Sequence, residues 1–202
     1  MTSFGVKVIR EFFAYTVSKR VNPLLFFVSK NFLKLVILAV LFWAVLFFLG
    51  QTLKPFFFIA IFLLLSSVSL IYNRWLKTSL GIEFVMLSTV MTARVYGPIP
   101  GAIVGFIGLT AAEIIGTGFN ARTLISLGAI AIIGLITPFF SSLSILAAGM
   151  ILTIIYDLMI IPFYLLAGSS PGRSALFVVT HIIWNLWVFA VMAPPLERLM
   201  ML

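Results

Sequence analysis

Seven apolar runs, each near the length needed to cross a bilayer, divide this chain from residue 33 onward. They occupy 33–50, 55–73, 79–96, 98–117, 122–139, 142–167 and 174–193. A helix rises 1.5 Å per residue, so about 20 mainly apolar residues span the hydrocarbon. Backbone groups cannot be left open in lipid, which makes continuous helix the economical reading of such runs. The separators are Gln51 to Pro55, Asn73 to Thr78, Gly97 to Pro100, Gly118 to Arg122, Phe140 to Ser142 and Gly168 to Arg173. Each carries a helix stop, a polar cluster or both. The expected fold is therefore all-α, a polytopic integral membrane bundle of about seven (six to seven) helices. The runs 33–50 and 122–139 are short enough to be tilted, re-entrant or shallow.

Composition agrees. Of 202 residues, 63% are apolar and only 9% charged, where a soluble domain has about 25% charged. The length suits one transmembrane domain over 33–202, preceded by a basic segment at 1–32. Cysteine is absent, which excludes a disulfide framework, thiolate metal sites and a cysteine nucleophile.

The net charge of +8 does not point to nucleic acid. Lys7, Arg10, Lys19, Arg20, Lys30 and Lys34 fall in the first 34 residues, and the rest are scattered singly between apolar runs. No aromatic-basic platform accompanies them. Such a distribution serves orientation and contact with anionic headgroups. In helical projection Val8, Ile9, Phe12, Phe13 and Thr16 share one side, with Lys7, Arg10, Glu11 and Ser18 opposite. An amphipathic helix in the interface is expected, broken by Asn22-Pro23; a disordered basic tail is the alternative. With the N-terminus cytoplasmic, ten basic residues fall inside, including Arg74, Lys77, Arg122 and Arg173. Three fall outside: Lys54, Arg94 and Arg198. The expected location is the cell membrane, multi-pass.

The fourth run carries a packing signal. Gly101, Gly105, Gly108, Ala112 and Gly116 lie within about 80° of one another around a helix. A smooth stripe of this kind lets a second backbone approach closely. Tight helix packing, within the protein or against a partner, is favoured over direct substrate contact.

Ionisable residues inside spans are expensive and normally face the bundle or a water-filled cavity. Glu83 and Arg94 lie in the third run, Glu113 in the fourth, Asp157 in the sixth, and His181 with Asn185 in the seventh. On one helix Glu83 and Arg94 share a face about 16 Å apart, so each needs another partner. Asp157 lies about 15 Å from its cytoplasmic end and His181 about 10 Å from its own. Three carboxylates and the sole histidine thus share one half of the bilayer, with Arg94 toward the other. His181, Trp184, Asn185 and Val188 form a stripe, and Tyr156 stands beside Asp157. Such a lining suits a polar or cationic solute, or a proton relay. These groups pairing among themselves, merely fixing the helices, is the plainer alternative.

Enzyme templates fit poorly. His181-x-x-x-Asn185 matches one motif of intramembrane CAAX-type proteases, which also need paired glutamates and a second histidine. Zinc sites want several His, Cys or carboxylate ligands. Neither a Gly-x-Ser-x-Gly elbow nor a phosphate loop occurs. No catalytic residue, metal or cofactor is expected.

The stretch Tyr96-Gly97-Pro98-Ile99-Pro100-Gly101-Ala102-Ile103-Val104-Gly105-Phe106 resembles a hairpin in the substrate-binding subunits of energy-coupling-factor vitamin transporters. There a helix ends in a Gly-Pro turn and the next opens with spaced glycines. The rod-shape-determining membrane protein of bacterial cell-wall machinery is similar here. The resemblance covers about 20 residues well and 79–193 loosely. It implies a small helical subunit that captures a vitamin-like solute and relies on a partner for energy. It also implies six spans with both ends cytoplasmic, and a site toward the outside. By position, that site would use Asp157, His181, Trp184 and Asn185. The apolar runs instead count seven, and the loop charges place the polar groups toward the cytoplasm.

Two functions follow. One is a small-solute (vitamin-like or cationic) transport subunit whose polar site draws on Asp157, His181, Asn185, Trp184, Tyr156, Glu113, Glu83 and Arg94. The alternative is a non-catalytic membrane scaffold that docks partners through its glycine-rich helix. The expected surroundings are the lipid bilayer, with room for a small-molecule solute and a membrane partner subunit.

Overall fold

A computed structural model describes residues 53–76, 80–116 and 118–202, and before them residues 31, 34, 36–38, 40–43 and 50. The chain divides into two compact units, Met1–Thr52 and Leu53–Leu202. In the first unit every described residue is helical. The amphipathic helix expected at 1–32 and most of the run 33–50 lie outside the described residues.

Among its described residues the second unit is built of helices joined by short turns, with no strand. We name α1 as Leu53–Leu76, α2 as Val85–Tyr96, α3 as Pro98–Gly116, α4 as Ala121–Ile136, α5 as Ile145–Leu166 and α6 as Pro171–Trp187. A single 3-10 turn, Thr137–Phe140, prolongs α4. A π-helical stretch, Val188–Met192, joins α6 to a last helix α7, Ala193–Met201. Among the described residues, five stretches are long and apolar enough to cross a membrane: α1, α3, α4 with its 3-10 turn, α5, and α6 through α7. Their outer faces leave Trp75, Phe139, Leu158 and Leu166 exposed, as expected where the solvent is lipid rather than water.

The third run departs from the sequence expectation. Helix begins only at Val85, not at 79, and α2 has 12 residues. At 1.5 Å each that is about 18 Å, short of the roughly 30 Å hydrocarbon layer. Every residue from Val85 to Ala93 is buried. An element apolar on all sides belongs in a bundle's interior, and α2 is that interior. Two of its polar side chains are bonded, while Thr92 Oγ1 is buried without a partner among the described residues. Thr89 Oγ1 donates to the Val85 carbonyl at 2.7 Å, and Ser66 of α1 donates to Ser88 Oγ at 3.0 Å.

The glycine stripe of α3 explains how so thin a helix is held. A Cβ on Gly105 would meet Thr89 Oγ1 at 2.5 Å, and one on Gly108 would meet Ser66 Cβ at 2.8 Å. Gly101 would collide with the backbone of Ala93, and Gly116 faces the Leu70 carbonyl. The stripe is thus filled by α1 and α2 of the same unit. Gly97, at φ 103°, makes the α2–α3 turn, a backbone conformation that suits glycine alone.

The π stretch has a cause in the sequence. Pro194 and Pro195 have no N–H to give the carbonyls four residues earlier, so the helical register widens. The Ala193 N–H accordingly donates to Val188, five residues back. Phe189 in that stretch packs flat on Gly149 of α5.

Candidate functional site

Gly81, at φ 64°, turns the chain through 80–84 in non-helical form before α2 starts. Irregular backbone at membrane depth has to find partners in protein, and here side chains supply them. Tyr72 Oη accepts from the Leu80 and Ile82 amides at 3.2 and 3.3 Å. Thr180 Oγ1 donates to the Leu80 carbonyl. Trp184 Nε1 donates to the Glu83 carbonyl at 2.8 Å. A Cβ on Gly81 would stand 2.6 Å from His181 Cβ, so the turn rests directly on α6.

That turn delivers Glu83 to the N-terminus of α2. Its carboxylate accepts from the amides of Val85 and Met86, the latter at 3.2 Å. Open amides at a helix start need acceptors, and the carboxylate oxygens supply them. Glu83 is therefore off the helix that carries Arg94, and the two do not share one helical face as the sequence suggested.

His181 stands between two acids. Its Nδ1 lies 2.7 Å from Asp157 Oδ1, and its Nε2 lies 3.4 Å from Glu83 Oε1. The second distance is within ion-pair reach, but Nε2 has no aligned hydrogen-bond partner. The imidazole is fully buried, and Asp157 nearly so. Phe177 stacks on the ring, with centroids 5.1 Å apart and an interplanar angle of 27°. Tyr156 flanks it at 5.6 Å. The meeting depends on where α6 begins. Ser170 caps it and Pro171 opens it, three residues before the apolar run at 174. His181 is then about 15 Å from its helix end, not 10, and level with Asp157, about 14 Å from Leu166.

These groups border a cavity of about 400 Å³ including its open mouth, in which a water's centre has about 30 Å³ to move. Glu83, Glu113, Tyr156, Tyr164, Phe177 and His181 supply most of its polar and aromatic wall. Four residues expected at a site, Glu83, Glu113, Tyr156 and His181, thus line one cavity, with Asp157 bonded behind the imidazole. Trp184 instead braces the 80–84 backbone. Asn185 is buried away from the lining and donates to the His181 carbonyl at 3.0 Å, an intrahelical bond that leaves its Oδ1 without a partner.

Arg94 does not belong to the site. At the other end of the bundle its Nε lies 2.5 Å from Glu197 Oε1, and its other nitrogens reach the carbonyls of Phe140 and Leu143. Two lining residues escaped the sequence reading, Tyr164 and Ser126, whose hydroxyls bond each other across α4 and α5. Tyr164 follows Asp157 by seven residues, two turns along the same face, and that spacing could have flagged it. Among the described residues no three histidines, cysteines or acids are grouped to hold a metal ion. In the comparisons with known proteins, no family model, no curated protein and no solved structure matches this chain.

Proposed function

We propose that the chain is a small-solute transport subunit of the cell membrane, with its solute site in the cavity beside His181. One observation carries the reading. Glu83, Asp157 and His181 come from three elements far apart in sequence and converge, buried, on one cavity. Ionisable groups at membrane depth are costly and mark solute or ion pathways. A broken helix whose N-terminus points into such a site is also a recurrent device of secondary transporters. The resemblance of residues 96–106 to the vitamin-transport subunits points to the same class.

The glycine stripe is filled by α1 and α2, so a scaffold would dock partners through another face of α3, where Ile103, Phe106 and Ile114 are exposed. For orientation, the end nearest the cavity carries Arg74, Arg122 and Arg173, all exposed, which supports a cytoplasmic placement. A cysteine at Gly172, where nothing crowds an added side chain, should then react only from the cytoplasmic side.

Thermal melting of wild type and Asp157→Asn with a panel of vitamins and organic cations tests the site. A solute that stabilises wild type but not the variant supports it. Wild type indifferent to the whole panel, together with no uptake into proteoliposomes, refutes it.

A further inference from the structure

Carboxylate oxygens only accept hydrogen bonds, so each contact between an acid and the His181 ring needs one hydrogen between its two atoms. His181 makes two such contacts, Nδ1 with Asp157 Oδ1 at 2.7 Å and Nε2 with Glu83 Oε1 at 3.4 Å. A neutral imidazole brings one hydrogen, whereas two contacts want two. The cluster therefore has a place for one proton more than a neutral ring between two carboxylates holds. With that proton the ring is an imidazolium that donates from both nitrogens. Such a charge compensates acids buried at membrane depth.

The two contacts differ in ways that give them separate tasks. The one to Asp157 is short, and Asp157 is not part of the cavity lining. Its Oδ2 is buried with no partner among the described residues, so the imidazole is the counter-charge of this carboxylate. The contact to Glu83 is longer and unaligned, and a hydrogen bond of that kind is the weaker one. Both of its residues line the cavity. The interior that a water's centre can occupy, about 30 Å³, holds about two waters. Water can therefore reach the weaker contact and not the stronger one. Glu83 itself is tied to the amides of Val85 and Met86, which keep its carboxylate beside the ring while a proton moves.

Other titratable groups approach from the neighbouring elements. Tyr156 of α5 flanks the ring, and Tyr164, two turns on, is bonded to Ser126 of α4. Glu113 of α3 lines the cavity and has a partner of its own. Arg74 of α1 and Arg122 of α4 are at the exposed rim, turned to the Ile115 carbonyl and to Ser169. We infer that His181 Nε2 and Glu83 share an exchangeable proton, loaded through the cavity, which is the coupling ion of the transport function proposed above. A hydronium ion in the cavity gives its proton to the Glu83 carboxylate and leaves as water. The carboxylic acid passes that proton to bare Nε2 and is a carboxylate again; release runs the same steps backward. Throughout, the hydrogen on Nδ1 stays with Asp157, which fixes the tautomer of the ring. The coupling role rests on the transport reading, whereas the proton site stands on the geometry alone.

The chain has one histidine, so one pair of ring nitrogens reports the site. The full-length protein, purified with a histidine-free tag and labelled with nitrogen-15 at histidine, is titrated with acid and base at fixed ionic strength. Near neutral pH both nitrogens should read as protonated. Raising the pH should strip Nε2 alone, leave the hydrogen on Nδ1, and reverse on acidification. Glu83→Gln removes the charge that faces Nε2 but keeps an oxygen for the Val85 and Met86 amides. That variant should give up the Nε2 proton at a proton concentration about tenfold higher, or more. A ring with one proton near neutral pH overturns the proposal, as does loss of the Nδ1 proton first. So does a ring that keeps both protons at every pH the fold survives, as a sealed structural pair would. A Glu83→Gln profile identical to wild type also ends it; should that variant not fold, the wild-type titration decides. The coupling role has its own arm, in which a solute found by the melting panel is offered to proteoliposomes with and without a pH gradient. Uptake that follows the gradient supports coupling. Uptake indifferent to the gradient keeps the transport reading and ends coupling. Reversible Nε2 titration in a protein that moves no solute ends the transport reading, and coupling with it, and leaves the proton site standing.

Discussion

The two ends of the 53–202 bundle solve the problem of polarity in lipid in opposite ways. At the far end Arg94 is saturated. It has a carboxylate and two carbonyls as acceptors, and the neighbouring backbones of α2 and α3 touch across glycine. At the near end two acids flank one imidazole, the ring keeps an unaligned nitrogen, and a cavity remains open. A fully satisfied polar cluster fixes packing, whereas a partly satisfied one has capacity to bind something. On the transport function we propose, that difference gives structure to one end and chemistry to the other.

The largest effect should come from spoiling the close-packed end. Gly101→Leu places a side chain into the Ala93 backbone, beyond the about 1–3 kcal/mol usual for overpacking. Little folded protein should survive detergent extraction, as size-exclusion profiles would show. Normal yield and melting temperature would mean that α2 and α3 are not pressed together.

Arg94→Met should rank second, at about 2–3 kcal/mol, because Glu197 and two carbonyls lose a charged donor. Thermal melting should reveal the loss while any solute-dependent stabilisation found for wild type is retained. If binding vanished too, the two ends would be coupled and the contrast between them would fail.

Gly81→Ala should invert that pattern. The added Cβ presses on His181 in a backbone conformation that side chains rarely adopt. Melting should fall by about 1–2 kcal/mol of stability, and the nitrogen resonances of the single histidine should shift as its ring is displaced. Unaltered histidine spectra would show that the 80–84 turn does not position the ring.

Smallest of the four is Trp184→Phe, which removes one hydrogen bond to the Glu83 carbonyl and about 1 kcal/mol. A modest loss of stability with weakened ligand binding would sharpen the role given to the turn. An effect as large as that of Arg94→Met would show that Trp184 bears more than one bond.

Much of this could be read from residues alone. Apolar runs of span length predicted α1, α3, α4 and α5 closely, because lipid leaves the backbone no alternative to helix. The small-residue stripe on α3 announced a close contact, though not whether the partner was internal. Placement of the acids and His181 in one half, with Arg94 in the other, followed from counting turns. What periodicity missed was the break at 80–84. The sequence Gly81-Ile82-Glu83-Phe84-Val85 reads as helix, since the groups that accept its open backbone, Tyr72, Thr180 and Trp184, are tertiary partners. The same blindness put Glu83 on a helix face with Arg94. Asn185 was misjudged for a related reason. An amide on the right stripe can bond its own helix, and spacing does not reveal that choice.

The shortness of α2 bears on how the chain enters a membrane. A 12-residue helix cannot cross alone, so it has to enter as a hairpin with α3, folded at Gly97-Pro98. Tyr72 is already synthesised when the 80–84 amides emerge, but Thr180 and Trp184 are about 100 residues away. Until α6 arrives, the Leu80 and Glu83 carbonyls have no side-chain donor, and His181 is missing from between its acids. Insertion therefore completes the polar cluster only with α6, so an incomplete chain holds its two acids without the imidazole that joins them.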